Sequence, residues 1–141
     1  MKKNYLFIAT LLFVFANCNA QEQNTLLTTQ DVQVKIREVY ADKTEELVFQ
    51  DQGRLKFLTD ILEKRFKVAQ IPLDASNDKY PKLSQVALLN KYNPALQRDA
   101  VFNSETFNPL KYNFEFSSNA TVVYRVDNTN YIIVITPQSF K

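Results

Sequence analysis

Histidine and tryptophan are absent from this chain of 141 residues, and cysteine and glycine occur once each. Each scarcity excludes a chemistry. Without histidine there is no His-containing metal set, no Ser-His-Asp triad and no Cys-His pair. The single cysteine, Cys18, has no second cysteine in the chain to form a disulfide with. One glycine, Gly53, cannot build a glycine-rich phosphate loop. The turns must therefore come from Asn, Asp and Pro. Net charge is also scarce, with 17 Lys+Arg against 15 Asp+Glu. Lys2 and Lys3 lie in the export signal described next, so without them the two signs balance at 15 each. A neutral chain gives no footing for nucleic-acid binding or for a polybasic membrane contact. The length makes a single domain, large enough for a real but small core.

Residues 1–20 read as a secretory signal. Lys2 and Lys3 form a short positive start, residues 5–16 are almost unbroken apolar sequence, and Asn17-Cys18-Asn19-Ala20 closes the segment. The apolar stretch is twelve residues long, short of the ~20 that a membrane-crossing helix needs. Cleavage after Ala20 would leave Gln21 as the new N-terminus. A rival reading sees Phe15-Ala16-Asn17-Cys18 as a lipobox, with lipidation at Cys18 and a lipid anchor. Phe15 and Asn17 depart from the usual pattern, so soluble export to the periplasm or outer-membrane periphery is preferred. Residues 21–28 are a polar lead-in, and residues 29–141 are expected to form one domain.

Val32, Ile36, Val39 and Tyr40 recur at helical steps, although Val32, Val34 and Ile36 also fit a strand. Asp42-Lys43-Thr44-Glu45 has capping-box spacing ahead of a short helical turn over residues 47–49. A clearer helix is expected over residues 52–66, with Leu55, Leu58, Ile61, Leu62 and Phe66 on one face and Asp51 as its cap. Lys64, Arg65 and Lys67 sit where cations complement the helix dipole. Residues 68–73 read as extended, residues 74–80 as a loop, and residues 83–92 fit either a short helix or an extended segment. Residues 112–116 alternate aromatic and polar side chains, the pattern of a strand with one buried face. Residues 122–135 read as a β-hairpin turning at Asp127-Asn128-Thr129-Asn130. Ile132-Ile133-Val134-Ile135 is apolar throughout, which calls for a central strand or for a partner on the second face. The sum is an α+β domain of two layers, with N-terminal helices packed on a small C-terminal antiparallel meander.

Four constellations bear on function. Glu45/Glu46 and Asp60/Glu63 are carboxylate pairs, but lysines one helical turn from Asp60 and Glu63 favour solvent-facing ion pairs over a glycosidase cleft. The clusters Asp74, Ser76, Asn77, Asp78 and Asp127, Asn128, Asn130 have calcium-ligand chemistry. They lack the glycine and closing glutamate of a calcium loop, and turn chemistry explains them. Residues 89–116 repeat aromatic side chains beside Asn and Pro. Asn90-Lys91-Tyr92-Asn93-Pro94-Ala95-Leu96 is echoed by Phe107-Asn108-Pro109-Leu110-Lys111-Tyr112-Asn113. Tyr92, Asn93, Phe102, Phe107, Asn108 and Tyr112 are the candidate binding residues, either as a packed loop or as a surface for a peptide or glycan. The fourth is a sheet edge left open to a partner strand.

The runs Leu89-Asn90-Lys91-Tyr92-Asn93-Pro94, Phe107-Asn108-Pro109-Leu110-Lys111-Tyr112-Asn113 and Tyr124-Arg125-Val126-Asp127-Asn128-Thr129-Asn130-Tyr131-Ile132-Ile133-Val134-Ile135 carry a resemblance. They lie in the stretch from Lys82 to Gln138, which with the signal covers a little over half the chain. The sequence resembles small exported proteins of flavobacterial-type Bacteroidota, a group with no assigned activity. The resemblance implies an exported envelope protein and supplies no active site. The expectation is a protein without catalytic activity or cofactor that binds another envelope protein. The alternative is a small-ligand or glycan module using residues 89–116.

Overall fold

A computed structural model describes residues 27–72 and 79–138. The signal segment with Cys18, most of the lead-in, and Asp74, Ser76, Asn77 and Asp78 lie outside them. The fold is α+β, with two α-helices and a three-stranded antiparallel sheet.

The first helix, α1 (Thr29–Tyr40), begins at a reciprocal cap. Asp31 N donates to Thr28 Oγ1 at 3.1 Å, and Thr28 N donates to Asp31 Oδ2 at 2.9 Å. The capping box thus lies here and not at Asp42–Glu45, where Thr44 is buried and donates its hydroxyl to Ala41 O. Leu27 packs on the helical core just before the cap, in the manner of a hydrophobic staple. Leu27 and Thr28, expected in the lead-in, therefore belong to the folded part.

The helix expected over residues 52–66 is shorter. Helix α2 (Gln52–Asp60) starts at the Asp51 cap, whose carboxylate accepts from Arg54 N. It loosens into a π-helical turn at Ile61–Arg65, and Phe66 is already extended. The apolar face continues through Ile61 and Leu62, which are buried. What ends the helix is the demand of the sheet, because Phe66 opens strand β1 (Phe66–Gln70).

Strands β2 (Val122–Arg125) and β3 (Tyr131–Ile135) form the expected hairpin. Asn128 takes a positive φ of 55° in its turn, a conformation Asn tolerates. The strand order is β1-β3-β2, so the apolar β3 is central, paired on both sides. The third strand comes from residues 66–70, directly after the helices, and not from residues 112–116. There the alternation is real, with Tyr112 and Phe114 buried and Asn113 and Glu115 exposed. The backbone, however, makes three-residue turns, Phe114 N to Tyr112 O and Phe116 N to Phe114 O, instead of a ladder. Only an isolated bridge joins Tyr112 to Leu88.

Two clusters make the core. One holds Val32, Ile36, Val39, Val48, Leu58, Ile61 and Leu62 of the helical half with Leu110. The other holds Tyr124, Val126, Ile133 and Ile135 of the hairpin with Leu83, Val86, Phe107, Tyr112 and Phe114. Phe66 and Phe116 pack against both. Arg65 locks the same junction. It is buried, donates Nε to Thr136 O at 3.0 Å and Nη2 to Phe116 O, and lies over the Phe57 ring.

Helix α1 ends at Ala41, with φ 47° and ψ −125°. An L-residue there is strained, by ~1–3 kcal/mol, whereas glycine is not. Ala41→Gly is therefore expected to raise stability by about 1 kcal/mol after the entropy cost of glycine is counted. A denaturant midpoint that falls instead would contradict this reading of the chain reversal.

Candidate functional site

The aromatic/Asn segment is the leading candidate in the sequence, and the structure commits its rings and the asparagines of both Asn-Pro echoes, Asn93 and Asn108, to packing, wholly or in part. The two Asn-Pro echoes do the same job. Asn93 accepts from Ala95 N through Oδ1 and donates Nδ2 to Glu38 O at 2.8 Å. Asn108 accepts from Leu110 N and donates Nδ2 to Lys35 O at 2.8 Å. Each asparagine closes its own turn and straps it to a carbonyl of α1, and the two carbonyls are one helical turn apart. The internal repeat is thus a pair of straps.

The rings follow. Phe107 and Tyr112 are only 4% and 2% exposed. Phe107 touches Phe66, Phe102 and Tyr112, with centroids 5.7, 5.1 and 5.2 Å away. Phe102 also meets Tyr131, and Tyr92 stacks on Tyr40 at 5.0 Å. Asn108 is buried as well. Of the two readings of these residues the structure has the packed loop, a wedge between helices and sheet in which Phe107, Asn108 and Tyr112 are buried and Tyr92, Asn93 and Phe102 are part-exposed. A small domain without tryptophan fills its interior with these rings.

A polar cluster that sequence reasoning missed holds the wedge on α1. Lys111 is buried, with Nζ 2.6 Å from Asp99 Oδ1 and 3.2 Å from Glu38 Oε1. Burial alone would push its ammonium down, but the bonds to Asp99 and Glu38 outweigh that and hold it above the ordinary lysine value. Lys35 donates Nζ to Phe107 O at 2.8 Å and Thr106 O at 3.1 Å, and burial lowers its ammonium below the usual range. Asp99 and Lys111 lie twelve positions apart in an irregular segment, where no periodicity marks them as partners.

Other charged groups are similarly engaged. Glu45 pairs with Arg37 at 2.9 Å and Asp60 with Lys64 at 3.2 Å. Asp127 accepts from Ser84 N and Ser84 Oγ, at 3.0 and 2.6 Å, so its carboxylate serves a turn.

The sheet is different. Alternate residues face opposite sides, and the register sorts them. Phe66 and Val68 of β1, Ile133 and Ile135 of β3, and Val122 and Tyr124 of β2 face the core. On the other side Lys67, Val134 and Val123 form one row, and Ala69, Ile132 and Arg125 the next. Val123, Ile132 and Val134 are part-exposed and belong to neither core cluster.

One edge is also open. Thr136 N donates to Arg65 O and Ile71 N to Asn130 O, which places Lys67 and Ala69 in the hydrogen-bonded pairs with β3. The backbone groups of Val68 and Gln70 then point away from the sheet, and no backbone bond to them is made among the described residues. The β2 edge is partly closed, because Arg125 N donates to Pro81 O.

Among the described residues no helix is long and apolar enough to cross a membrane. Compared with protein-family models, with curated proteins and with solved structures, the chain finds no match in any of the three.

The straps differ in burial, which gives a measurable contrast. Asn108→Ala removes the bonds to Lys35 O and Glu38 Oε2 and leaves the buried Leu110 N–H unsatisfied, and should cost ~2–3 kcal/mol. Asn93→Ala, at a part-exposed site, should cost about 1 kcal/mol. Chemical denaturation reads both, and equal costs would contradict the strap geometry.

Proposed function

We propose that this chain is an exported, non-catalytic protein of the cell envelope that acts as an interaction or accessory subunit of a periplasmic or outer-membrane complex. The observation that carries this reading is the sheet. It offers an open β1 edge beside a part-exposed apolar patch of Val134, Ile132 and Val123. A row of unpaired backbone groups is a template for an added strand, and natural proteins usually cover or charge such edges. Lys67 alone gives β1 that protection.

Three further observations support the reading. The signal pattern of residues 1–20 and the resemblance to small exported Bacteroidota proteins point to the envelope, with Gln21 as the mature N-terminus and no lipid on Cys18. The carboxylates Glu38, Asp99, Glu45, Asp60 and Asp127 serve ion pairs or turns, a use that favours binding over acid-base chemistry. The rival reading, a ligand or glycan module on residues 89–116, is disfavoured because Phe107, Asn108 and Tyr112 are buried and Tyr92, Asn93 and Phe102 are engaged in packing or straps.

The experiment is native co-purification through a C-terminal tag, with the mature N-terminus read in the same spectra. Gln70→Pro is the informative variant. Gln70 is exposed and its N–H faces the open edge, where proline is tolerated in a strand. The parent chain should start at Gln21 and retain a stoichiometric envelope partner. Gln70→Pro should fold normally and retain about tenfold less, a loss of ~1.4 kcal/mol. A monomer in the soluble fraction, or a partner held equally by both chains, would sink the proposal.

A further inference from the structure

A concavity lies away from the sheet, between the start of α1 and the outer flank of α2. It is a cleft of about 360 Å³. Positions 29, 32 and 33 share one face of α1, and positions 55, 59 and 63 follow one another at single-turn steps. Val32, Phe49 and Leu55 supply the apolar wall, and Thr29, Gln33, Thr59 and Glu63 the polar groups. The space exists because α1 offers only one apolar side chain here, Val32, between two polar ones. Val32 is 4% exposed, whereas Thr29, Gln33 and Glu63 are exposed. The lining is thus apolar inside and polar at the mouth, the usual build of a small-molecule site.

The charge at the mouth selects the ligand. Glu63 is the only ionisable residue of the lining among the described residues. Its neighbour Asp60 is taken by Lys64, and no cation among the described residues pairs with Glu63. We propose that this cleft binds a small amphiphilic cation, an aliphatic body carrying an ammonium group. The body displaces water from Val32, Phe49 and Leu55 while the ammonium pairs with the Glu63 carboxylate. Gln33 and the Thr29 and Thr59 hydroxyls accept its remaining N–H bonds. An anionic amphiphile would place its carboxylate against Glu63 and is disfavoured. This site is independent of the sheet edge, so either assignment stands without the other.

The test uses two probes of equal length and opposite head group, n-hexylammonium and hexanoate, titrated into isotope-labelled protein and followed by NMR. Hexylammonium should give saturating shifts at the Val32 and Leu55 methyls and the Phe49 ring. It should bind about tenfold tighter than hexanoate, since Glu63 attracts one head group and repels the other. That ratio should shrink as salt is raised. Glu63→Gln should bring the two affinities within about twofold while the methyl shifts persist, because the apolar wall is untouched. Leu55→Trp should fill the cleft and abolish binding of both probes. If Leu55→Trp does not fold, the exposed Glu63→Gln variant still decides. Equal affinity for the two probes in the parent protein would overturn the proposal. So would shifts confined to Ile132 and Val134. Cross-peaks showing that residues before Leu27 already occupy the cleft would overturn it as well.

Discussion

Three parts of the molecule meet at the Arg65 guanidinium. Arg65 ends the helical half, and the next residue opens β1. Nε holds the carbonyl just past β3, and Nη2 holds the carbonyl of Phe116 at the end of the aromatic segment. Nη1 is buried with no partner among the described residues, so the two bonds made must offset the desolvation of a third donor. The planar fork matters, since a lysine at this position would reach one carbonyl at a time. The Phe57 ring beneath the guanidinium adds cation–π attraction. Phe66, beside it in the chain, packs on both core clusters. The helix-to-strand corner therefore fixes the sheet against the helices, and with it which strand is left at the edge.

That corner explains why the aromatic segment is structural. Helices and sheet approach each other around it, and Leu110 enters the helical cluster while Phe107 and Tyr112 enter the sheet cluster. Asn93, Asn108, Lys35 and Lys111 then fasten the segment to α1. A wedge held this way has Asn93, Asn108 and Lys111 occupied, and its Phe107, Tyr112 and Phe114 rings are buried. The part-exposed apolar residues Val123, Ile132 and Val134 lie on the side of the sheet that the wedge does not touch.

Much of this was legible in sequence and some was not. The α1 stripe, the Asp51 cap, the hairpin and the central position of β3 follow from local patterns that their surroundings reinforce. Residues 112–116 show the limit of pattern reading. Alternation reports which side chains are buried, and here it does so correctly, but burial on one side does not require a paired backbone. Phe66 shows a second limit, since its apolar side chain suits a helix face and a strand equally well. The Asn-Pro echo was visible as a repeat, while its purpose depended on where α1 lay. Lys111 and Arg65 were invisible as buried groups, because the residues they bond are 12 to 73 positions away, in the irregular segment, in α1 or just past β3. The cleft at Val32 and Glu63 was equally hidden, since its two walls meet only after α1 and α2 pack.

The account rests on a sheet centred on β3 and open along β1. Amide hydrogen exchange along β1 in the free protein tests it most directly. Lys67, Ala69 and Ile71 donate toward β3 and should be slow, whereas Val68 and Gln70 point outward and should exchange at least ~100-fold faster. That alternation would establish an edge ready for a partner strand. Equal protection of all five amides would show the edge already covered, and would contradict the claim that this protein binds another through its sheet.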